Sequence, residues 1–135
     1  MNRSREFAEQ LLQKARDDQH VLERLVDDPD AAVWTVGFHA QQAVEKALKA
    51  VLSASGVEYP RTHNLTLLIG LLKGAQPPDA SELHHLTPYG VLLRYDTPTT
   101  DESEASLDRA WAAGCVRRTI DWADSVLRES KGKAL

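Results

Sequence analysis

Cysteine is nearly absent: Cys115 is the only one. Neither a disulfide framework nor a thiolate zinc cage can form within one chain. Cys115 falls on an apolar helical pattern, where a thiol packs as a small hydrophobe. Long apolar runs are missing as well, and none approaches the roughly 20 residues of a membrane span. Residues 1–9 are charged and lack the apolar centre of a signal peptide. A cytoplasmic location with no membrane partner is expected. Basic charge is not in excess: 16 Lys and Arg face 20 Asp and Glu, for a formal net charge of -4. That excludes a general nucleic-acid coat protein, whose affinity rests on a basic surface, but leaves room for a local basic patch. No glycine-rich phosphate loop occurs, so nucleoside-triphosphate hydrolysis is not expected. No two histidines stand four apart and no acidic cluster has ligand spacing, so neither a metal nor another cofactor is expected.

What remains is an ordinary globular composition, 42% hydrophobic and 27% charged over 135 residues, suited to one compact domain spanning residues 1–135. The patterning is helical throughout, with no convincing strand. Phe7, Leu11, Leu12, Ala15, Leu22, Leu25 and Val26 mark the inner face of a first helix over residues 4–26. Asp27-Asp28-Pro29-Asp30 is a start signal for a second helix that ends at Gly56. A short third helix is expected over 64–73. A fourth begins near Asp79, with a kink or fresh start at Pro88. Thr99 and Glu102 fit a capping box for a last helix running to about Glu129. Trp34, Trp111 and Trp122 read as core. Helices of this length joined by short turns predict an all-α, antiparallel up-and-down bundle of four or five helices.

The second helix is the most informative stretch. Gly37, Ala40, Ala43, Val44, Ala47, Leu48 and Val51 recur at three-and-four spacing, a small-residue face built for close neighbours. Gln42, Glu45, Lys46 and Lys49 run beside it as a polar row. Glu45 and Lys49 stand four apart in the order of a surface ion pair. Gln42, Lys46 and Lys49 can instead line a nucleotide groove. His63, ahead of the third helix, is a candidate phosphate ligand or acid–base group, or a loop-fixing histidine. His84 and His85 are adjacent, about 100° apart on a helix, and unsuited to sharing a metal.

Three islands together resemble the HEPN family, nucleotide-binding helical domains of higher eukaryotes and prokaryotes, in its stand-alone prokaryotic type. They are Gln41-Gln42-Ala43-Val44-Glu45-Lys46-Ala47-Leu48-Lys49-Ala50, Thr62-His63-Asn64-Leu65, and Leu93-Arg94-Tyr95. The resemblance implies a helical homodimer, often paired with a minimal nucleotidyltransferase in a two-component, toxin–antitoxin-like system. Many relatives cut RNA with an arginine and a histidine separated by about four to six residues. The cation stabilises phosphate charge and the imidazole moves a proton. Here Thr99, Thr100 and Asp101 follow Arg94 at the matching distance. Arg16 and His20 come nearest to the spacing, one residue too close and in the first helix.

The reading that follows is a non-catalytic nucleotide- or RNA-binding component. Its ligand-binding candidates are Arg94, Tyr95, His63, Lys49, Gln42 and Lys46, and no catalytic residue is assigned. Arg94 would contact phosphate and Tyr95 would stack on a base. Two alternatives stand beside it. One is an RNase toxin with His63 replacing the missing base. The other is a helical interaction module with no ligand. Among active relatives a tyrosine near the motif is modified, which makes Tyr95 a candidate acceptor for a nucleotidyl group.

Overall fold

The computed structural model describes residues 3–90 and 107–133. Four α-helices and one 3₁₀ segment make up the regular structure among these residues, with no strand: α1 (Arg3–Leu25), α2 (Val33–Ala54), α3 (Leu65–Gly70), the 3₁₀ segment (Leu83–Gly90) and α4 (Arg109–Lys133). The fold is the helical bundle that the patterning predicts.

α2 is the central rod. Ala40, Ala43, Ala47 and Ala50 are fully buried along it, together with Val36, Val44 and Leu48. The absence of bulk at the alanine positions lets neighbouring backbones approach closely. α1 answers with a buried stripe of Ala8, Leu12, Ala15 and Leu22, and α4 with Ala112, Cys115, Val116, Ala123 and Leu127. α1 runs antiparallel to α2, and ties between the two ends of α4 and α1 give the same sense there. At one end the Arg109 guanidinium donates to the carbonyls of Asp28 (3.0 Å) and Ala31 (2.7 Å), closing the α1–α2 turn. At the other, Arg5 donates to the Leu127 carbonyl.

Several local expectations are corrected. Asp28 does not cap α2; its carboxylate accepts the Asp30 amide at 2.9 Å and holds a turn. α2 starts later, at Val33, behind Ala32 with no side-chain cap. Gly56 does end the α2 region, with φ of +71°, a conformation glycine takes without Cβ strain. α3 is one short helix, capped by Asn64 Oδ1 accepting the Leu67 amide at 3.1 Å. Beyond it, Pro88 neither kinks an α-helix nor starts one. The whole stretch Leu83–Gly90 takes the tighter 3₁₀ pitch, with Pro88 inside it. Proline has no N–H to give at either pitch, so Pro88 donates no turn bond. α4 is capped by Asp108, whose carboxylate accepts the Trp111 amide at 3.0 Å, and continues through Lys133. Thr99 and Glu102 lie outside the described residues.

The aromatic side chains also depart from expectation. Phe7 is 49% exposed, because the buried stripe of α1 runs through Ala8 and not through its neighbour. Trp34, Trp111 and Trp122 are all half-buried. Trp34 leans on Tyr89 with ring centroids 4.7 Å apart, and Trp111 meets His85 edge-on at 6.2 Å. Their area covers the seams between elements. Cys115 is buried, and burial, followed by the Asp79 charge, pushes its thiol up to about 11. It is a packing residue and an unreactive thiol.

At Gly37, α2 and the 3₁₀ segment pass close to one another. A Cβ there would stand within 3 Å of three carbons of the Tyr89 ring. Alanine at 37 would gain about 1 kcal/mol of helix propensity, and overpacking the ring costs about 1–3 kcal/mol. Gly37→Ala is therefore expected to lower stability by roughly 1 kcal/mol in urea unfolding. A stabilised variant would show that Tyr89 yields freely.

Candidate functional site

Glu45 lies in the middle of α2, 5% exposed. A carboxylate at such depth requires donors. It has three: Gln41 Nε2 at 2.9 Å and His63 Nδ1 at 2.8 Å reach Oε1, and Lys49 Nζ reaches Oε2 at 2.9 Å. Burial alone would raise the Glu45 pKa. The hydrogen bonds from Gln41, Lys49 and His63, with the Lys49 charge, outweigh it and hold the carboxyl below its ordinary value. The group is an anion that its own neighbours satisfy.

Around this carboxylate the network is continuous. Gln41 is fully buried and also donates to the His63 carbonyl at 3.1 Å. Gln42 donates its amide to Gln41 Oε1 at 2.8 Å. Lys49 is 15% exposed and sits over the Tyr59 ring at 5.6 Å from the centroid. Ser53 and the Tyr59 hydroxyl are 3.2 Å apart, which steadies that ring. His63 presents 57% of its side chain to solvent. An ionised carboxylate only accepts, so Nδ1 carries the hydrogen and Nε2 is the atom left to bind or take a proton.

The predicted site residues therefore divide. Lys49 and His63 meet on Glu45, and Gln42 joins through Gln41. Lys46 goes elsewhere: its ammonium lies 2.6 Å from Asp18 Oδ2 on α1, where His39 Nδ1 also binds Asp18 at 3.0 Å. Arg94 and Tyr95 lie outside the described residues. The last described residue before them, Gly90, packs against this site. A Cβ on Gly90 would stand 3.0 Å from His63 Cβ and 3.2 Å from Gln41 Cδ. Arg16 pairs with Asp124 at 3.3 Å, and the Arg16–His20 spacing builds nothing.

The spacing of Glu45 and Lys49 predicts a surface pair. The structure buries Glu45 and half-buries Lys49, because α2 is covered on nearly every side. Gln41 opens the family island but is not among the candidate ligand residues of the sequence. Its signal is the position: Gln41 and Glu45 stand one turn apart beside Ala40 and Val44, inside the apolar face. His84 and His85 do not diverge. Their rings come to 4.0 Å, both exposed, folded over one another at the surface. Among the described residues no group of three or more His, Cys, Asp or Glu is arranged to hold a metal. None of the described helices is long and apolar enough to cross a membrane.

The architecture is thus an all-helical domain with a polar corner of imidazole, ammonium and carboxylate set into its central helix. A family model for the HEPN domain matches residues 8–125, and the chain belongs to the HEPN family, helical proteins of nucleotide-binding and RNase type. Comparison with curated proteins and with solved structures gave no match.

Removing the Glu45 charge tests the site's architecture. Glu45→Ala should cost about 3–5 kcal/mol, since it strands a half-buried ammonium and a buried amide. pH carries a clearer signature. The native carboxyl titrates below its ordinary value of 4.5. Its stabilisation is therefore complete above that value and lost as pH falls through the lower native one. Urea unfolding should show the gap between wild type and Glu45→Gln constant at neutral pH and closing in acid. A gap that is flat down to about pH 3 would show that Glu45 titrates as in the unfolded chain.

Proposed function

We propose that residues 1–135 form one HEPN-type domain that binds nucleotide or RNA phosphate without cutting it. It acts as a homodimer in the cytoplasm, paired with a minimal nucleotidyltransferase in a two-component system. The observation that carries the binding reading is the Glu45 corner. One buried carboxylate fixes an ammonium and an exposed imidazole side by side, at the point where Gly90 packs. Arg94 and Tyr95 follow Gly90 by four and five residues and would add a guanidinium fork and a stacking ring. Gln42 joins the corner through Gln41, while Lys46 is held by Asp18 outside it.

Calorimetry with a short single-stranded RNA tests the site. Arg94→Ala and Lys49→Ala should each weaken binding about five- to tenfold, as expected for losing one phosphate contact. No binding by wild type, or unchanged affinity in both variants, removes the corner from consideration. Co-expression with a neighbouring nucleotidyltransferase gene should recover a complex. An added nucleotide mass lost in Tyr95→Phe would make that residue the acceptor.

One observation favours a second reading. The Glu45–His63 pair has the form of a carboxylate–imidazole dyad, with one ring nitrogen fixed and the other exposed. In an RNase, His63 Nε2 would take the ribose 2′-hydroxyl proton as the oxygen attacks phosphorus. The bond from phosphorus to the 5′-oxygen would break, that oxygen would take its proton from solvent water, and Arg94 would hold the phosphate charge. Expression from a tight promoter separates the readings. Growth arrest with RNA cleavage that both His63→Ala and Arg94→Ala remove selects the enzyme; growth without cleavage selects the binding component.

A further inference from the structure

The cleft between the amino-terminal half of α1 and the carboxy-terminal half of α4 shares no residue with the Glu45 corner. Its volume is about 260 Å³, with Leu12 and Leu127 among its walls and Arg5, Arg16 and Arg128 around them. Both leucines are nearly buried, at 3% and 4% exposure. Two carboxylates share the space. Asp124 bridges Arg16 at 3.3 Å and Arg128 at 2.9 Å, and Glu9 stands 3.6 Å from Arg5.

We propose that this cleft binds a small phosphate monoester, its apolar body on Leu12 and Leu127 and its dianion among the three guanidiniums. Three cations against two anions leave one net positive charge in a recess of an otherwise acidic chain. Arg5 is pre-set for the task. Its guanidinium is held by the Leu127 carbonyl and by Ser130 Oγ at 3.5 Å, so ordering it on binding adds little entropy cost. Its Nε is buried with no hydrogen-bond partner, and the 3.6 Å approach of Glu9 is beyond hydrogen-bond range.

The bridging carboxylate is a weak competitor. Arg16, Arg128 and Asp124 keep 40%, 80% and 28% of their side chains exposed. Ion pairs that open to water are worth less than about 1 kcal/mol. A phosphate dianion offers twice the charge and three acceptor oxygens, which the planar forks of arginine match in pairs. Asp124 thus acts as an internal stand-in for the ligand, and taking away its charge should favour the ligand. The cleft's small volume suits a compact molecule and not a polymer, since ligand pockets usually start near 300 Å³.

Calorimetry on the full chain at low ionic strength tests this, with phenyl phosphate, inorganic phosphate and benzoate as probes. Phenyl phosphate should bind more tightly than inorganic phosphate, which lacks the apolar body, and than benzoate, which lacks the second charge. The Arg16→Ala, Arg128→Ala double variant should lose at least about tenfold in affinity. Asp124→Asn should gain affinity, an outcome that a purely structural ion-pair network would not produce. Lys73→Ala, at an exposed position outside both the cleft and the α2 corner, should leave the titration unchanged. No heat with phenyl phosphate at millimolar concentration overturns the proposal. So do equal affinity in the double variant and unchanged or weaker binding in Asp124→Asn.

Discussion

A carboxylate buried in the middle of a helix that is itself covered on nearly every side must find its counter-groups within reach of its own turn. Glu45 does so one turn back at Gln41, one turn ahead at Lys49, and across the bundle at His63. The first two partners follow from the helix alone, since residues four apart share a face. The third sets the tertiary structure. The loop after α2 must return to mid-helix so that His63 can reach the carboxylate, and the 3₁₀ segment must end where Gly90 leaves room for His63 and Gln41. An unpaired charge there would cost several kcal/mol, so loop path, side-chain order and helix packing are fixed together.

The small-residue face of α2 and the polar corner are two sides of one arrangement. Alanines at 40, 43, 47 and 50 bring the neighbouring backbones close, and closeness is what buries Glu45. Bulkier residues at those positions would hold the helices apart and let water satisfy the carboxylate. The second polar contact on α2, Asp18 with Lys46 and His39, is of another kind. Its members keep 13%, 25% and 23% of their side chains exposed. It ties α1 to α2 at the rim, where water screens part of the interaction, and it withdraws Lys46 from the corner it was expected to join.

The helices were legible because their apolar residues repeat at three-and-four spacing over many turns, a signal that tertiary context seldom overrides. Boundaries were less so. Asp28 and Thr99 are good capping residues by type, but whether aspartate caps a helix or a turn depends on where the backbone goes next. Asp108, the observed cap of α4, looked no different from any surface aspartate. Depth was the other blind spot. Glu45 and Lys49 carry the spacing of an exposed pair, and the local hint against it is only that Glu45, like Gln41, sits inside the small-residue face of α2. His63 and Glu45 are 18 residues apart, and only the closed fold makes them partners. The arginine cleft is less legible still, because its cations come from opposite ends of the chain and helix patterning treats each as solvated surface.

Family membership and the Glu45–His63 pair pull in different directions. The spacing of arginine and histidine used by the cutting relatives is missing after Arg94, where Thr99, Thr100 and Asp101 stand. An imidazole with a fixed tautomer nevertheless lies in the corner. What decides between binding and cutting is the role the ring can take once Glu45 holds it. The Glu45 carboxylate already accepts a lysine and an amide besides the ring, whereas a catalytic dyad carboxylate serves its imidazole. Lys49, on the same carboxylate, sets an ammonium near the ring, and an ammonium attracts phosphate. Both features support the proposed reading of the corner as an anion site. That balance of charge, more than the absent histidine, favours the binding reading.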